Sequence, residues 1–451
     1  MLEFGWIIHS SQINAKKATL VIRHLTEKLN LLCLLALTAC AIPVAGPPTV
    51  VIAIPTPLDT ATSPFVEPST SVPLPLADAP TLTPSPPPLP TATLAPSATP
   101  TPVPAGQVGP NDFPSDVNPL TGLAVPDPSV LNRRPLAIKV SNYPACVRPQ
   151  SGLSLADLVF VHYAEGGATR FTAIFYAHDA PKVGAIRSAR LIDLELPAMY
   201  QALLAFSGSS PGVHRKLEEI DFKDRLLSPE FEPGHKAFFR VPKESLTADC
   251  QLLEHTLFTS TDRLWADAEA KGVNGRPTIT GMAFNSAPPP GGQPGATVSL
   301  AYTAEYARWN YSETAGLYYR YSNGQAHMDA LTDSQLTAAN VVVVFAHHVL
   351  TDILESAIGY NPQTGKGGSH SLEIQLWGTG PALVYRDGLM YSATWVRQER
   401  VGGLGLVDSS GQIFPLKPGV TWFQLAALDS PIAQGEQESW EIKPIRLTET
   451  P

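Results

Sequence analysis

The chain has 451 residues, 45 of them proline, and a formal net charge of −9 from 31 basic and 40 acidic side chains. Residues 41–110 hold 20 of the prolines, a single aromatic residue (Phe65), three carboxylates and no lysine or arginine, so they lack the apolar surface needed to offset ordering entropy and are excluded as a folded domain. Residues 1–39 carry four basic and two acidic side chains, leaving 27 against 38 in the rest. That acidic balance argues against a nucleic-acid binder, which needs a basic face to neutralise phosphates.

In chain order, residues 29–39 (LNLLCLLALTA) form an apolar run behind a basic segment. Its length suits a signal-peptide core and falls short of the roughly 20 residues of a membrane-spanning helix. Leu37, Thr38, Ala39 and Cys40 form the tetrad of a bacterial lipobox. Residues 1–39 are therefore expected to be a lipoprotein signal peptide, with diacylglycerol on Cys40 holding the protein to the extracytoplasmic face of the cell membrane; two acyl chains suffice for stable anchoring. Residues 40–110 comprise the lipidated cysteine and a disordered Pro/Thr/Ser-rich tether, biased to polyproline II and able to reach roughly 200 Å when extended.

The remaining residues, roughly 340, exceed what one core usually holds, so two domains are expected. Residues 111–277 mix strands (LAIKVS, LVFV, TAIFYA) with amphipathic helices over 214–220 and 261–271, the latter capped by Ser260 or Thr261. Residues 278–430 are dominated by short alternating segments with turn signals at Asn323-Gly324 and Asp387-Gly388, which reads as a mostly antiparallel β domain. Between them, SAPPPGGQPG (286–295) reads as a loop or hinge, and 431–451 as a C-terminal tail. The expected fold class is α+β.

Several phrases occur in an order that resembles the YerB-like bacterial lipoproteins, a family defined by a two-part domain of unknown function. They are NPLTGL (118–123), RPLAIKVSN (134–142), RPQSGLSLAD (148–157), EGGATRF (165–171) and VGAIRSAR (183–190), followed by Trp309, Tyr311, Arg320, His327, Asp329, Arg386, Trp395 and LKPGVTWFQL (416–425). The resemblance covers residues 115–428. It implies an anchored two-domain protein and brings no established activity. Where such proteins tend to show Pro-His-Asn, this chain has Glu254-His255-Thr256.

Arg148, Arg170, Arg187 and Arg190 sit beside glycine, serine or proline turns in an acidic protein. Guanidinium groups grip carboxylate or phosphate bidentately, so these loops are the expected place for an anionic ligand, a cell-wall polymer or an envelope protein, with Asn142, Glu165, Thr169 and Ser188 as polar neighbours. The competing expectation is that Glu165 and Asp157 pair with the arginines to pin loops. An alternative function is an envelope hydrolase or transferase using Glu165 with Asp179 or Asp193. His327 and Asp329 alternate on one strand face, as a ligand pair would; one of His347 and His348 should point inward. TGKGGS (364–369) fails as a phosphate loop because Gly367 replaces the magnesium-binding Ser or Thr. Trp309, Tyr311, Tyr319 and Trp422 fit either a core or a sugar-binding surface. No cofactor or metal set is expected, and the pairing of Cys146 with Cys250 stays open.

Residues 1–20 hold Phe4, Trp6, Ile7 and Ile8 with only two lysines, unlike a signal-peptide amino terminus, whereas a start near Val21 gives ordinary proportions. Amino-terminal sequencing of the uncleaved precursor should therefore begin near Val21, and a sequence beginning at Met1 would refute this.

Overall fold

The computed structural model describes residues 106–364 and 366–447; the expected signal peptide, Cys40 and the tether as far as residue 105 lie outside the described residues. Composition puts residues 106–110 in the tether, yet they are packed: Val108 and Phe284 exchange both backbone hydrogen bonds at 2.9 Å.

In the N-terminal part, β1 (Leu136–Ser141), β2 (Leu158–Tyr163) and β3 (Thr169–Phe175) are antiparallel, with β3 in the middle. β4 (Leu203–Ala205) and, beyond helix α1 (Pro211–Glu219), β5 (Leu226–Leu227) add parallel to β1. The Ser210 hydroxyl accepts from Val213 N and Pro211 occupies the first turn, a good start for α1. Helix α2 (Thr261–Ala270) buries Leu264, Trp265 and Ala268; Ser260 occupies the N-cap position as expected but its hydroxyl makes no cap hydrogen bond, and Thr261 Oγ1 accepts from Ala180 N at 2.8 Å.

The C-terminal part supplies an antiparallel set, β6 (Thr297–Tyr302), β7 (Glu305–Ser312) and β8 (Leu317–Ser322), then the long β9 (Asn340–Ser356), β10 (Ser369–Gln375), β11 (Gly378–Arg386), β12 (Leu389–Arg397) and β13 (Gly405–Val407). Asp387 (φ 54°) and Gly388 (φ 74°) make the tight β11–β12 turn, which needs two residues at positive φ. β14 (Thr421–Ala427) then runs parallel between β2 and β9, with Thr421 in register with both Leu158 and Asn340. One sheet thus runs in the order β13-β12-β11-β9-β14-β2-β3-β1-β4-β5 through both parts. The expected tail contributes β15 (Ile432–Gln434) and β16 (Ser439–Ile442), the latter parallel to β6. The expected hinge is tied down, since Gln293–Pro294 pairs with β12 and Trp440 Nε1 donates to the Pro294 carbonyl. The fold is α+β, with mixed sheets in the N-terminal part and antiparallel sheets dominating the C-terminal part.

The long sheet is covered on both faces. Leu158, Phe160, Ile174, Val342 and Phe423 point into one core; Val159, Val161, Phe171, Val341 and Trp422 point into the other, as period-two alternation requires. Trp309 and Trp422, 5.1 Å apart, belong to the second core, which removes them from the sugar-binding set.

A buried polar network crosses this second core. Glu305 on β7 accepts from Arg320 (2.9 Å) and Ser322 (2.7 Å) on β8 and from Asn142 Nδ2 (2.6 Å) after β1. Asn142 Nδ2 also donates to Thr169 Oγ1, and its Oδ1 accepts from Arg148 and Gln150. His327 closes the circuit between Arg320 and Gln150. Burial would raise the Glu305 carboxyl, but Arg320 and Arg148 outweigh it and hold the group below its ordinary value. Removing the anion strands Arg320, which has no solvent exposure. Glu305→Ala is therefore expected to cost about 3–5 kcal/mol of stability in urea unfolding, and a loss below about 1 kcal/mol would contradict this.

Candidate functional site

The segment after β3 sets the site. Residues 183–190 cross the end of β1: Ser141 N donates to Ala185 O (2.9 Å) and Arg187 N to Lys139 O (3.0 Å). Strand register then fixes which side chains meet. Lys139 is opposite Thr172, and Arg170 is opposite both Ser141 and His162, so Lys139, Thr172, Arg170 and His162 share the face of Ala137, Ile174 and Phe160. At this end of the sheet the apolar rows give way to charge.

Lys139 is fully buried. Its Nζ lies 2.7 Å from Asp193 Oδ2 and donates to Thr172 Oγ1 (3.1 Å) and to His162 Nε2 (2.8 Å). The other ring nitrogen of His162 donates to the Tyr163 carbonyl, which leaves Nε2 as an acceptor and the ring neutral. Burial, then the neighbouring ammonium, hold His162 well below its ordinary pKa; burial outweighs Asp193 and brings Lys139 down to about 8. Asp193 also accepts from Arg190 N at 2.7 Å.

Three guanidinium groups gather above this pair. Arg170 donates from Nη1 to the Ser188 carbonyl (2.9 Å) and is pulled down to about 9, first by burial and then by Arg190. Arg190 Nε lies 2.5 Å from Glu165 Oε1 and 3.6 Å from Glu355 Oε2, so one guanidinium is shared by two carboxylates. These carboxylates diverge. Burial would raise Glu165, but Arg190 outweighs it and holds the group low; burial prevails over the same arginine at Glu355 and raises it. Arg187 is lowered by burial, opposed by Glu254, and its Nε is buried without a hydrogen-bond partner among the described residues.

Beside Glu165 lies a cavity of about 290 Å³, bounded by the β2–β3 turn (Glu165, Gly166, Gly167), the β9–β10 turn (Lys366, Gly367, Gly368) and Arg446 near the end of the described chain. The ammonium of Lys366 and the guanidinium of Arg446 have no carboxylate partner among the described residues. The cationic excess therefore extends from the arginine group to the cavity.

The sequence-selected residues divide into two sets. Glu165, Arg170, Arg187, Ser188 and Arg190 lie together, whereas Asn142, Arg148 and Thr169 belong to the Glu305 network on the opposite face of the sheet. Glu165 pairs with Arg190 as the loop-pinning expectation has it. Asp157 pairs with none of the four arginines; it accepts from Asn118 Nδ2 and from Tyr176 and Ala177 N, tying NPLTGL to the sheet. Neither aspartate offered to Glu165 is its partner: Asp179 binds Arg133 at the surface and Asp193 is taken by Lys139. Glu355, from the far end of β9, fills that position. His327 and Asp329 are no ligand pair. Asp329 accepts from Gly152 N and Ser154 N, and Gly152 (φ 88°) sits so near the Lys182 carbonyl that a Cβ would lie 2.7 Å from it. His348 is the inward member of its pair, pulled down to about 4 by burial.

Among the described residues, two groups have metal-ligating atoms close together. Glu232 and Asp267 hold Lys271 Nζ at 2.7 Å each, and His235 Nδ1 accepts from Ala237 N, so its Nε2 carries the hydrogen; that position already has a cation. In the other, Cys146 and Cys250 form a disulfide with Cα atoms 5.5 Å apart, beside His255.

Residues 120–274 match the N-terminal domain, and 297–423 the C-terminal domain, of a protein family of unknown function, DUF3048. The chain is 30% identical over 324 residues to a Bacillus subtilis (strain 168) protein named as the lipoprotein YerB, covering 70% of this chain and 89% of that one. The crystal structure of the Bacillus subtilis YerB protein aligns with a TM-score of 0.55 at 28% identity, over 69% of this chain and 96% of that chain. The chain belongs to the YerB-like family. Among the described residues no helix is long and apolar enough to cross a membrane.

The depressed Glu165 carboxyl gives a pH test. Its contribution to stability is fully present above the unfolded value of about 4.3 and is lost as pH falls through the lower folded value. Wild type is expected to exceed Glu165→Gln in denaturant stability at pH 7, with the gap closing below about pH 4; a gap constant down to pH 3 would contradict the pairing.

Proposed function

We propose that this is a lipoprotein held by lipid on Cys40 at the extracytoplasmic face of the membrane, whose arginine-rich sheet end binds an anionic envelope ligand, a wall polymer or an acidic partner. The observation that carries this reading is the gathering of Arg170, Arg187 and Arg190 at one sheet end with the Arg187 Nε buried and unpartnered among the described residues. Buried donors are almost always satisfied, and an anion would satisfy this one. The cavity edged by Lys366 and Arg446 extends the same charge outward. Asn142, Arg148 and Thr169 act in this reading as supports for the start of β3, which presents Arg170.

A second reading, an envelope hydrolase or transferase, has one observation in its favour. Glu165, which lines the cavity, shares Arg190 with Glu355 while the two acidities are driven in opposite directions, as a base and an acid require. The two readings separate in one experiment. The full chain is incubated with purified cell-wall material, and retention and released fragments are both measured. Binding predicts retention that falls at least tenfold in Arg187→Ala and weakens with salt, without release. The enzyme predicts fragments that disappear in Glu165→Gln. If neither retention nor release occurs, both readings fail.

A further inference from the structure

A second cavity, of about 270 Å³, is bounded by the 146–151 segment, and Cys146 and Cys250, joined as a disulfide, both line it. The two sulfurs differ. Cys146 is half-buried on a turn beside the exposed Tyr143, whereas Cys250 is only 2% exposed. His255, also buried, places Nδ1 at 3.3 Å from Cys250 Sγ and 3.2 Å from the Cys250 carbonyl oxygen. Both neighbours are acceptors, so Nδ1 carries the hydrogen and aims it at Cys250. The same tautomer weighs against Nδ1 as a metal ligand. Lys182 lines the cavity with its ammonium 4.6 Å over the Phe258 ring and no carboxylate partner among the described residues, and Arg148 adds a second positive charge.

A disulfide is cleaved when a thiolate attacks one sulfur and the other leaves as a thiolate, fastest when the leaving sulfur is stabilised and the attacked one accessible. This cavity has both features, with cations that favour an anionic nucleophile. We propose that Cys146–Cys250 is an exchangeable disulfide, attacked at Cys146 by a thiolate ligand while Cys250 leaves toward the His255 N–H. In that step a bond forms between the incoming sulfur and Cys146 Sγ, the Cys146–Cys250 bond breaks, and its electron pair goes to Cys250. A second thiolate of the ligand then attacks its own sulfur in the mixed disulfide. Cys146 is released, the ligand dithiol is oxidised to a disulfide, and the protein takes up the two electrons. His255 is a positioning residue, acting on the leaving group. The exposed Leu252 and Leu253 follow Cys250 closely in the chain and give a cysteine-bearing peptide an apolar surface near the disulfide.

The test uses the native full chain with millimolar reduced glutathione, trapping freed thiols with N-ethylmaleimide and mapping adducts by mass spectrometry. Glutathione is expected on Cys146 and maleimide on Cys250, at a rate that falls with salt. His255→Ala should slow the reaction about tenfold, and His255→Gln, which keeps an N–H donor, should recover most of it. A dithiol peptide should be oxidised faster than glutathione if the Leu252–Leu253 surface is used, and at the same rate if small thiols are the ligand. Glutathione on Cys250, reaction only after denaturation, or an unchanged rate in folded His255→Ala would overturn the proposal. Should His255→Ala not fold, regioselectivity in the wild type together with a slowed Lys182→Ala decides.

Discussion

The buried pair of Glu305 and Arg320 is the constraint on which the arrangement of the rest depends. Two charges taken out of water are costly unless every donor and acceptor around them is occupied, so the pair is stable only when completed by Asn142 from the other half of the chain. Asn142 in turn orients Thr169, Arg148 and Gln150, and Gln150 is held through His327 by Arg320 itself. Such a closed circuit rewards only the complete arrangement. It fixes the carboxyl end of β1 against the start of β3, and it holds the 148–157 loop to the β7–β8 hairpin, while Asp329 beyond that hairpin adds two more bonds to the same loop.

The arginine group follows from that placement through the geometry of one strand. Thr169 and Arg170 are consecutive on β3 and point to opposite faces. Thr169 accepts from Asn142 within the Glu305 network; Arg170 emerges on the other side beside Ser188, Arg190 and the Lys139–Asp193 pair. The two charge systems are therefore back to back across one sheet. A shift of β3 by one residue would put a guanidinium into the tryptophan-lined core and a threonine among the carboxylates, so the register is specified by charge as strongly as by hydrophobic pattern.

The strands of the N-terminal part, both amphipathic helices and the Asn323-Gly324 and Asp387-Gly388 turns were legible because they rest on local period and turn chemistry. The continuity of the long sheet was not, since β14 inserting between β2 and β9 joins residues some 260 positions apart, and no local pattern encodes a parallel pairing at that distance. Four arginines beside turns were visible as a group, yet their division was hidden, because faces are assigned by register and register by partners. Lys139 lies in a run of apolar residues where a lone lysine reads as solvent-facing; only the structure shows the Asp193, Thr172 and His162 that make its burial possible. Glu355 was missed for a similar reason. It meets Arg190 only because β9 runs for 17 residues and carries its far end past the sheet.

That long strand bears on how the two family domains relate to the site. The matches at 120–274 and 297–423 divide the sequence between β5 and β6, but the cavity beside Glu165 is built from the β2–β3 turn of one and the β9–β10 turn of the other. Arg190 belongs to the first and Glu355 to the second. Neither part alone holds a complete cavity wall or a neutralised arginine group, and β2 without β14 would present an unpaired edge that is apolar over Leu158–Val161. The two matched regions are thus halves of one structural unit, in which the buried pair that joins them also sets the charge that the candidate site presents.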